Sequence, residues 1–321
     1  MVNLVAAQRP LLHALMKMAG VVPYSVDIEP GTTMNFWVPV ETLSKPKKTQ
    51  PPKPPQKPTK PVVVLVHGFA AEGIVTWQFQ VGALSKRYSV YVPDLLFFGD
   101  SITEKSDRSP TFQAECLAAG LRKLGVDKCT VVGFSYGGMV AFKLAELWPE
   151  LVEAMVVSGS ILAMTDSISG ETLQRLGFGS SSELLLPTSV KGLKALLSVA
   201  AHKKLWFPDR LHKDFLETAL CLSSLRHSLL PIFTPHFNSF TWKTGYDSSS
   251  ISLQKIHLLW GLNDQIFNVE LARKLQEDLG DNATFQSIPK SGHLVHLERP
   301  CVYNRCLKQF LATLHSNAQD K

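Results

Sequence analysis

CTVVGFSYGGMVAF, residues 129–142, is the stretch that decides the fold of this chain. A run of β-type residues ends in the pattern Gly-x-Ser-x-Gly at Gly133, Ser135 and Gly137, and a helix-forming stretch at 139–148 follows at once. This order predicts a sharp strand-to-helix turn that lifts the serine side chain off the backbone. Glycine fits there because the turn brings neighbouring chain too close for a Cβ atom. We therefore expect Ser135 to be a nucleophile at a helix N-terminus, whose free N–H groups favour negative charge.

The composition is that of a globular protein and does not favour nucleic-acid binding. The chain has 321 residues, of which 45% are hydrophobic and 19% charged, enough for one large α/β domain or two smaller ones. The net charge is +6, and the segment at 45–60, KPKKTQPPKPPQKPTK, supplies much of it without any acid. No basic helix or aromatic-basic stripe accompanies this charge, so we expect no nucleic-acid partner.

The cysteines predict a reduced, cytoplasmic protein. There are five, an odd number without regular spacing, which does not favour a disulfide framework. Neither a Cys-x-x-Cys pair nor a His-rich ligand pattern is present in the sequence. We therefore expect no structural metal ion. Chemistry at a serine nucleophile requires neither a metal ion nor an organic cofactor, so we expect no cofactor.

Residues 1–22 form a largely apolar segment with basic residues in it. Arg9, His13 and Lys17 are interspersed, and no acid occurs before Asp27. The segment lacks the uninterrupted apolar centre of a signal peptide and is too short and too charged to span a bilayer. It predicts an amphipathic helix, packed on the rest of the chain or over an entrance, with contact to an intracellular membrane surface as the alternative. Its apolar face would comprise Leu11, Leu12, Leu15, Met16 and Met18.

A hairpin and a proline-rich loop follow this segment. Residues 24–27 and 33–38 predict two strands around Glu29-Pro30-Gly31. The Pro/Lys-rich stretch at 44–61 predicts an extended, solvated loop, because proline fixes φ and removes hydrogen-bond donors. We favour a tolerated insertion in this loop over a tether for an acidic partner or a lipid headgroup.

From residue 61 onward, strand-like and helix-like segments alternate. Buried-strand runs occur at 62–66, 88–92, 129–132, 154–158, 255–260 and 284–288, and helical candidates at 111–124, 140–148 and 269–279. Runs that are apolar on both faces belong to parallel strands covered by helices. The alternation predicts an α/β fold with an open, mostly parallel, doubly wound sheet.

The interval 163–249 breaks the alternation. It is rich in leucine, phenylalanine and tryptophan, has helical patches at 193–201 and 213–223, and lacks buried-strand runs. We interpret it as an inserted helical cap over the carboxyl ends of the strands, where open α/β sheets bind ligands. The core then comprises 23–162 and 250–321. An acyl or aromatic substrate is suggested by the apolar cap residues Leu184, Leu185, Leu186, Trp206, Phe207, Phe233, Phe237 and Phe240.

Two short segments downstream supply what a serine nucleophile needs, a base and a carboxylate that orients it. In KIHLLWGLNDQIF, residues 255–267, Asp264 follows a strand and a glycine turn. In TFQSIPKSGHLVH, residues 284–296, His293 follows a strand and a Pro-Lys-Ser-Gly loop, and it would begin the last helix. Both would lie at the sheet edge that carries Ser135, in the chain order Ser, Asp, His. Taken alone, Asp264 fits a helix N-cap equally well, and His296 is a rival base. Together the three predict a catalytic triad.

Two backbone N–H groups are candidates for stabilising an oxyanion. One belongs to Tyr136, the residue after the nucleophile, and the other to Phe69, in the loop that follows the strand at 62–66. His67, in the same loop, is interpreted as bracing the loop and not as a catalytic base.

The motifs together resemble those of the α/β-hydrolase superfamily. They are HGF at 67–69, DLLFFGDS at 94–101, GFSYGG at 133–138, GLNDQIF at 261–267 and KSGHLVHLERP at 290–300. The resemblance spans about 60–315 and is strongest to plant α/β-hydrolases of the monoacylglycerol lipase and esterase type. It implies the α/β-hydrolase fold and the triad Ser135, Asp264 and His293. Relatives with epoxide hydrolase activity carry aspartate at the elbow, so Ser135 argues against that chemistry.

The resemblance also gives expectations for the loop at 94–101. Asp94 would hold this loop by hydrogen bonds and would not act as a nucleophile. Phe97 and Phe98 stand where relatives often have small or polar residues, so they would narrow the pocket or pack under the cap.

These observations predict a serine hydrolase of carboxylic esters, acting on a lipid-like or aromatic small-molecule ester as a monomer or dimer. Two alternatives remain open. One is a non-hydrolytic enzyme that uses the same residues, an acyltransferase, lyase or cyclase, although no His-x-x-x-x-Asp acyltransferase pattern occurs. The other is a ligand receptor that retains the triad.

Overall fold

A nine-stranded sheet forms the centre of the computed structural model, which describes residues 3–44, 55–162, 164–204, 206–221 and 254–316. The strands are β1 Val21–Glu29, β2 Thr32–Pro39, β3 Val62–Val66, β4 Ser89–Pro93, β5 Ile102–Thr103, β6 Cys129–Phe134, β7 Val152–Ser158, β8 Lys255–Gly261 and β9 Ala283–Ile288. Their order across the sheet is β1-β2-β4-β3-β6-β7-β8-β9, with β5 beside β2. From β4 to β9 all neighbours are parallel, and β1 and β2 form an antiparallel hairpin at one edge. The mostly parallel sheet predicted from the strand runs is confirmed.

Helices cover both faces of the sheet. In chain order the described helices are α1 Leu4–Ala7, α2 Arg9–Met18, α3 Gly73–Thr76, α4 Val81–Leu84, α5 Pro110–Lys123, α6 Tyr136–Leu147, α7 Asp166–Leu176, α8 Ser181–Leu185, α9 Val190–Ala200, α10 Asp209–Cys221, α11 Val269–Leu279, α12 Val295–Glu298 and α13 Pro300–Ser316. One hydrophobic core contains α5, α6 and α11, and the other contains α2, α3, α4 and α13. This is the doubly wound arrangement.

Strand β3 shows why these runs are strands with two buried faces. All five of its residues are buried, and alternate side chains enter opposite cores. Val62, Val64 and Val66 lie in the core with α5 and α6, while Val63 and Leu65 lie in the core with α3 and α13. A β-branched residue suits both faces of such a strand, so the run shows no polar alternation.

Element bounds differ from the sequence prediction by a few residues at most places. The hairpin strands are longer than the predicted 24–27 and 33–38, and they turn at Gly31, whose φ is +76°. Helix α5 begins one residue earlier than predicted because Ser109 caps it, accepting a hydrogen bond from the N–H of Phe112 at 3.1 Å, with Pro110 in the first turn.

The N-terminal segment differs from the single helix predicted over 1–22. It forms α1 and α2, and α2 ends at Met18 because Gly20, with φ of +82°, turns the chain into β1 at Val21. Within α2, Met16 and Leu12 pack on the core, while Leu11, Leu15 and Met18 face outward. No helix among the described residues is long and apolar enough to cross a membrane.

Helices α7 to α10 lie between β7 and β8 in the chain, within the interval predicted to form a cap. The predicted patches at 193–201 and 213–223 correspond to α9 and α10. Residues 222–253 lie outside the described residues, and with them Phe233, Phe237 and Phe240. Residues 45–54 of the Pro/Lys-rich loop lie outside them too. The bounds 163–249 therefore stay a prediction.

Candidate active site

Ser135, His293 and Asp264 form a continuous chain of hydrogen bonds. His293 Nε2 lies 3.1 Å from Ser135 Oγ, and His293 Nδ1 lies 2.8 Å from Asp264 Oδ2. Each residue follows the carboxyl end of a parallel strand, β6, β9 and β8 respectively, so all three meet at one edge of the sheet. Asp264 and His293 are buried and Ser135 is half-buried. The structure thus brings together the three side chains selected from sequence.

The turn at Ser135 places its side chain at the start of α6. Ser135 has φ of +52°, in the left-handed region that non-glycine residues rarely adopt. A Cβ on Gly137 would lie 2.3 Å from the carbonyl oxygen of His67, and one on Gly133 would lie 2.7 Å from that of Gly137. Both contacts are with backbone, which cannot move aside, so only glycine allows α6 to dock this closely on β3.

Asp264 orients His293 and does not cap a helix. Its Oδ1 accepts hydrogen bonds from the N–H groups of Ile266 and Phe267 at 2.8 and 3.0 Å, which leaves Oδ2 for His293. The N-cap of α11 is Asn268, whose side chain accepts from the N–H of Leu271. The alternative of Asp264 as an N-cap is therefore excluded.

The geometry sets the proton positions on the His293 ring. An ionised carboxylate can only accept, so Nδ1–H donates to Asp264 and Nε2 is left to accept from the Ser135 hydroxyl. The ring packs against Phe134 and Phe267, at centroid distances of 4.9 and 5.7 Å. His293 itself lies in the loop before α12 and does not begin a helix, which corrects the predicted helix start.

Gly159, which sequence reasoning missed, makes room for this ring. It follows β7 with φ of +52°, and a Cβ there would lie 2.8 Å from both Cε1 and Nδ1 of His293. The available signal was the sequence Ser158-Gly159-Ser160 at the end of a strand that neighbours β6 and β8.

His296, the rival base, has a different environment. Neither of its ring nitrogens has a hydrogen-bond partner, and it packs against Phe134, Trp77 and Tyr303. Burial, with a smaller effect from His293, lowers the pKa of His296 to about 3. It contacts neither Ser135 nor Asp264 by a hydrogen bond and is a core histidine.

The loop after β3 lies directly against the serine. A Cβ on Gly68 would come within 3.2 Å of Ser135 Cβ, so the backbone that leads into Phe69 passes beside the nucleophile. Tyr136, the other predicted oxyanion donor, is the first residue of α6. Its hydroxyl donates to the carbonyl of Arg108 at 2.8 Å, which holds the side chain in place. The oxyanion role of these two N–H groups stays a prediction.

His67 braces this loop, as the sequence suggested. Its Nδ1 donates to the carbonyl of Gly68 at 2.7 Å, and its Nε2 accepts from the N–H of Leu95 at 2.9 Å. Complete burial lowers the pKa of His67, an effect only partly offset by Asp94. A neutral ring with both nitrogens engaged ties the loop after β3 to the loop after β4 and has no free atom for proton transfer.

Asp94, in the loop after β4, is bonded to the start of α3 and to β2. Its Oδ1 accepts from the N–H of Gly73 and its Oδ2 from the side chain of Asn35, both at 2.8 Å. Phe98 is buried against the rings of His67 and Phe69. Phe97, with φ of +72°, stacks on the guanidinium of Arg108 at 4.3 Å. The two aromatic residues therefore pack under and beside the loops of the site.

No group of three or more His, Cys, Asp or Glu side chains is arranged to hold a metal ion within the described part of the chain. The groups that the structure brings together at this edge are the Ser135 hydroxyl, the His293 imidazole and the Asp264 carboxylate.

Comparison with known proteins adds to this geometry. Residues 61–300 match the family model described as alpha/beta hydrolase fold. The chain is 24% identical over 271 residues to Monoacylglycerol lipase ABHD6 of Bos taurus, covering 81% of this chain and 77% of the bovine protein. It is 23% identical over 265 residues to Epoxide hydrolase 3 of Xenopus tropicalis, covering 78% and 71%.

A solved structure of similar shape is that of a membrane phospholipase A described as a bacterial virulence factor. It superposes with a TM-score of 0.72 at 22% identity, covering 97% of this chain and 91% of that one. A likeness at this identity shows the fold. With a family model that spans most of the sheet and with relatives named lipase and epoxide hydrolase, the chain belongs to the α/β-hydrolase superfamily and is a hydrolase.

Proposed function

We propose that this protein is a serine hydrolase that cleaves carboxylic esters through an acyl-enzyme on Ser135. The observation that carries the proposal is the hydrogen-bond chain from Ser135 Oγ through His293 to Asp264, at 3.1 and 2.8 Å. A carboxylate that orients an imidazole, which in turn accepts the serine proton, is the arrangement that activates an otherwise weak nucleophile.

In the first half-reaction, Ser135 Oγ attacks the ester carbonyl carbon while His293 Nε2 takes its proton. The carbonyl oxygen becomes negative, and the N–H groups of Phe69 and Tyr136 stabilise it, supported by the N-terminal dipole of α6. Asp264 stabilises the imidazolium through Nδ1–H. The carbon–oxygen bond to the alcohol then breaks, the Nε2 proton passes to the leaving oxygen, and an acyl-serine ester remains.

In the second half-reaction, water replaces the alcohol. His293 Nε2 removes a proton from the water as its oxygen attacks the acyl carbon, and the same N–H groups hold the new oxyanion. Collapse breaks the bond to Ser135 Oγ, which recovers the proton from Nε2, and the carboxylic acid leaves. The enzyme returns to its starting protonation without a cofactor.

The surroundings favour an apolar acyl or aromatic ester. Phe69 directly follows Gly68, whose backbone lies against Ser135, and the ring of Phe98 packs on the ring of Phe69 at 5.6 Å. Aromatic side chains near a nucleophile suit binding of an apolar group. The name of the bovine relative, a monoacylglycerol lipase, is consistent with a lipid-like substrate for this chain.

Epoxide hydrolysis is the less favoured chemistry despite the Xenopus tropicalis relative. The elbow carries a serine and not an aspartate, and the Oγ of this serine, Ser135, is the partner of His293 Nε2. An acyltransferase or a receptor would use the same residues, so a test has to separate acylation of Ser135 from turnover of the ester.

We further propose that the outer face of α2 contacts an anionic membrane surface. Leu11, Leu15 and Met18 are spaced i, i+4 and i+7 on one stripe and are 62%, 43% and 83% exposed. Lys17 is exposed beside them, whereas Arg9 is paired with two carboxylates of other segments. An amphipathic helix with an unpacked apolar stripe and an exposed lysine suits the headgroup region of an anionic bilayer.

The test of the hydrolase proposal is fluorophosphonate labelling followed by intact mass, together with turnover of p-nitrophenyl esters of increasing acyl length. Wild type should gain one adduct and hydrolyse the esters, and Ser135→Ala should lose both. Loss of the nucleophile is expected to reduce kcat by on the order of 10⁴-fold or more. Ser85→Ala, a half-buried serine at the end of α4, is the matched control and should behave as wild type.

The outcomes separate the alternatives. An adduct without ester turnover would indicate an enzyme that transfers the acyl group elsewhere, or a receptor with a slow deacylation step. A folded wild-type protein that gains no adduct would exclude Ser135 as an activated nucleophile, and the hydrolase proposal would fall with it.

A further inference from the structure

Glu298 connects the His293 loop to the end of α9. It is the last residue of α12, and its Oε1 accepts the N–H of Gly292, directly before His293, at 2.7 Å. Its Oε2 accepts the N–H groups of His202 and Lys203, directly after α9, at 2.9 and 3.2 Å. One carboxylate therefore binds both segments, each through a different oxygen.

A second contact joins the same two segments on the other side of the histidine. The N–H of Leu294 donates to the carbonyl of Ala200, the last residue of α9, at 3.2 Å. A Cβ on Gly292 would lie 2.8 Å from the Ala200 carbonyl oxygen and 2.8 Å from the His202 nitrogen. The residues immediately before and after His293 are thus both bound to 200–203, with no space for a side chain between them.

The chemistry of this junction suits a carboxylate. Three backbone N–H groups converge on it, and a carboxylate offers two acceptor oxygens without a donor. Hydrogen bonds to an ionised acceptor are shorter and stronger than neutral ones. Glutamine would offer only one acceptor oxygen and would turn its NH₂ group towards an N–H, so it cannot keep both sides of the junction.

We propose that Glu298 is a positioning residue that couples the helices between β7 and β8 to His293. Since α9 ends at the junction, a substrate that shifts α9 also shifts Gly292 and with it the His293 ring. The His293–Ser135 contact is then set by where α9 lies. This inference rests on the proposed function for the part played by His293, whereas the junction itself is a feature of the fold.

The test compares Glu298→Gln with wild type by kcat, KM and the rate of fluorophosphonate labelling. A misplaced base reduces the stabilisation of the transition state but not the binding of substrate. Therefore kcat and kcat/KM should fall together, by on the order of tenfold to a hundredfold, with KM little changed. The labelling rate should fall by the same factor. Glu298→Asp keeps both acceptor oxygens on a shorter arm and should recover part of the loss.

Glu150→Gln is the matched control. Glu150 lies between α6 and β7, and its exposed carboxylate pairs with Arg122, so this variant makes the same chemical change away from the site. It should leave kcat and the labelling rate unchanged. Thermal unfolding of all variants separates positioning from stability. A Glu298→Gln protein with a lower Tm but unchanged kcat and labelling rate would overturn the proposal.

Hydrogen exchange read by mass spectrometry provides a second measurement that does not depend on activity. In Glu298→Gln, peptides covering 200–204 and 290–294 should exchange faster together, because the N–H groups of Gly292, His202 and Lys203 lose an acceptor. Faster exchange at 290–294 alone would mean that α9 is not coupled, which overturns the proposal. If the wild-type protein gains no fluorophosphonate adduct, the proposed function is wrong. The exchange result then still decides whether Glu298 couples α9 to the His293 loop.

Discussion

Three histidines beside the site differ in role because their partners differ. His293 has a carboxylate on one ring nitrogen and a hydroxyl on the other, so it is both oriented and able to transfer a proton. His67 has a carbonyl and an N–H, so both nitrogens are occupied by structural bonds. His296 has no hydrogen-bond partner on either ring nitrogen and packs against aromatic rings. Residue type alone does not distinguish them, whereas hydrogen-bond partners do.

His296 gives a prediction for stability in mild acid. Its pKa is lowered to about 3 in the folded protein, against about 6.5 in an unfolded chain. Between these values the unfolded state binds a proton that the folded state does not. The free energy of unfolding should therefore fall as the pH drops below about 6.5, by about 1.4 kcal/mol per pH unit from this residue.

Urea unfolding of wild type and His296→Phe near pH 7 and near pH 5 measures this effect. The loss of stability between the two conditions should be smaller in His296→Phe, by about 2 kcal/mol. His202→Gln, which removes an exposed histidine, should keep the wild-type loss. Equal losses in wild type and His296→Phe would show that His296 takes up its proton in the folded state as readily as in the unfolded one.

The turn between β6 and α6 depends on backbone segments that pack without side chains between them. Gly137 lies against the carbonyl oxygens of Val66 and His67, at the end of β3. This contact sets how close the N-terminus of α6 comes to the loop that carries Phe69. The same glycine therefore determines both the packing of α6 and the geometry of the proposed oxyanion site.

Gly137→Ala should be strongly destabilising for this reason. The new Cβ would lie 2.3 and 2.4 Å from two carbonyl oxygens, so α6 or β3 would have to shift. We expect a loss of more than about 4 kcal/mol, or no folded protein, by thermal denaturation. Gly170→Ala is the control within a helix: its Cβ would meet nothing within 4 Å, so alanine should stabilise α7 by about 0.5–1 kcal/mol. Equal Tm changes in the two variants would contradict the close packing.

Helix α9 shows what element prediction from sequence can and cannot supply. The apolar pattern predicted a helix over 193–201, and the structure has Val190–Ala200 with Ser189 as its N-cap. The difference at the C-terminus is one residue, yet that end carries the contacts to Leu294 and Glu298. Periodicity locates a helix, but hydrogen bonds to distant residues decide what its end does.

Helix α2 belongs to the molecule's surface as much as to its core. It packs by Leu12 and Met16, while the adjacent stripe of Leu11, Leu15 and Met18 remains exposed. The preceding helix, α1, is bound to α10, with the side chain of Asn3 donating to the carbonyl of Asp214 at 3.0 Å. The N-terminal segment thus joins α10 to the core and still presents an apolar stripe.

Co-sedimentation with phosphatidylserine-containing vesicles tests the proposed membrane contact. The triple variant Leu11→Ser/Leu15→Ser/Met18→Ser should bind about tenfold or more weakly, because it removes three side chains from the contact. Ile102→Ser, at a residue of β5 that is 65% exposed, removes an apolar side chain elsewhere and should bind as wild type. Wild-type protein that does not sediment with these vesicles, or a triple variant that binds equally well, would rule out this surface.

Much of the fold could be predicted because local pattern and global arrangement agree. β-Branched runs such as 62–66 indicate strands buried on both faces, and their alternation with helices indicates a doubly wound sheet. The chain order of Ser135, Asp264 and His293, each after a strand, predicts that the three lie at one edge of the sheet. The resemblance to plant members of the family stays a prediction, as do the cytoplasmic location and the oligomeric state.

What could not be predicted depends on which hydrogen bonds and close contacts form, because the residue pattern leaves several partners open. The sequence placed Asp264 after a strand, but it did not decide between a role in orienting His293 and a role as a helix N-cap. The hydrogen bonds from the N–H groups of Ile266 and Phe267 to its Oδ1 resolved this choice. Gly159 makes room for the His293 ring from the end of β7, and Glu298 binds the N–H groups of His202 and Lys203 almost a hundred residues away, so no local pattern marked these contacts. Motifs identify the reacting groups because chemistry constrains residue type, whereas their distances and protonation follow from packing that forms only when the whole sheet is assembled.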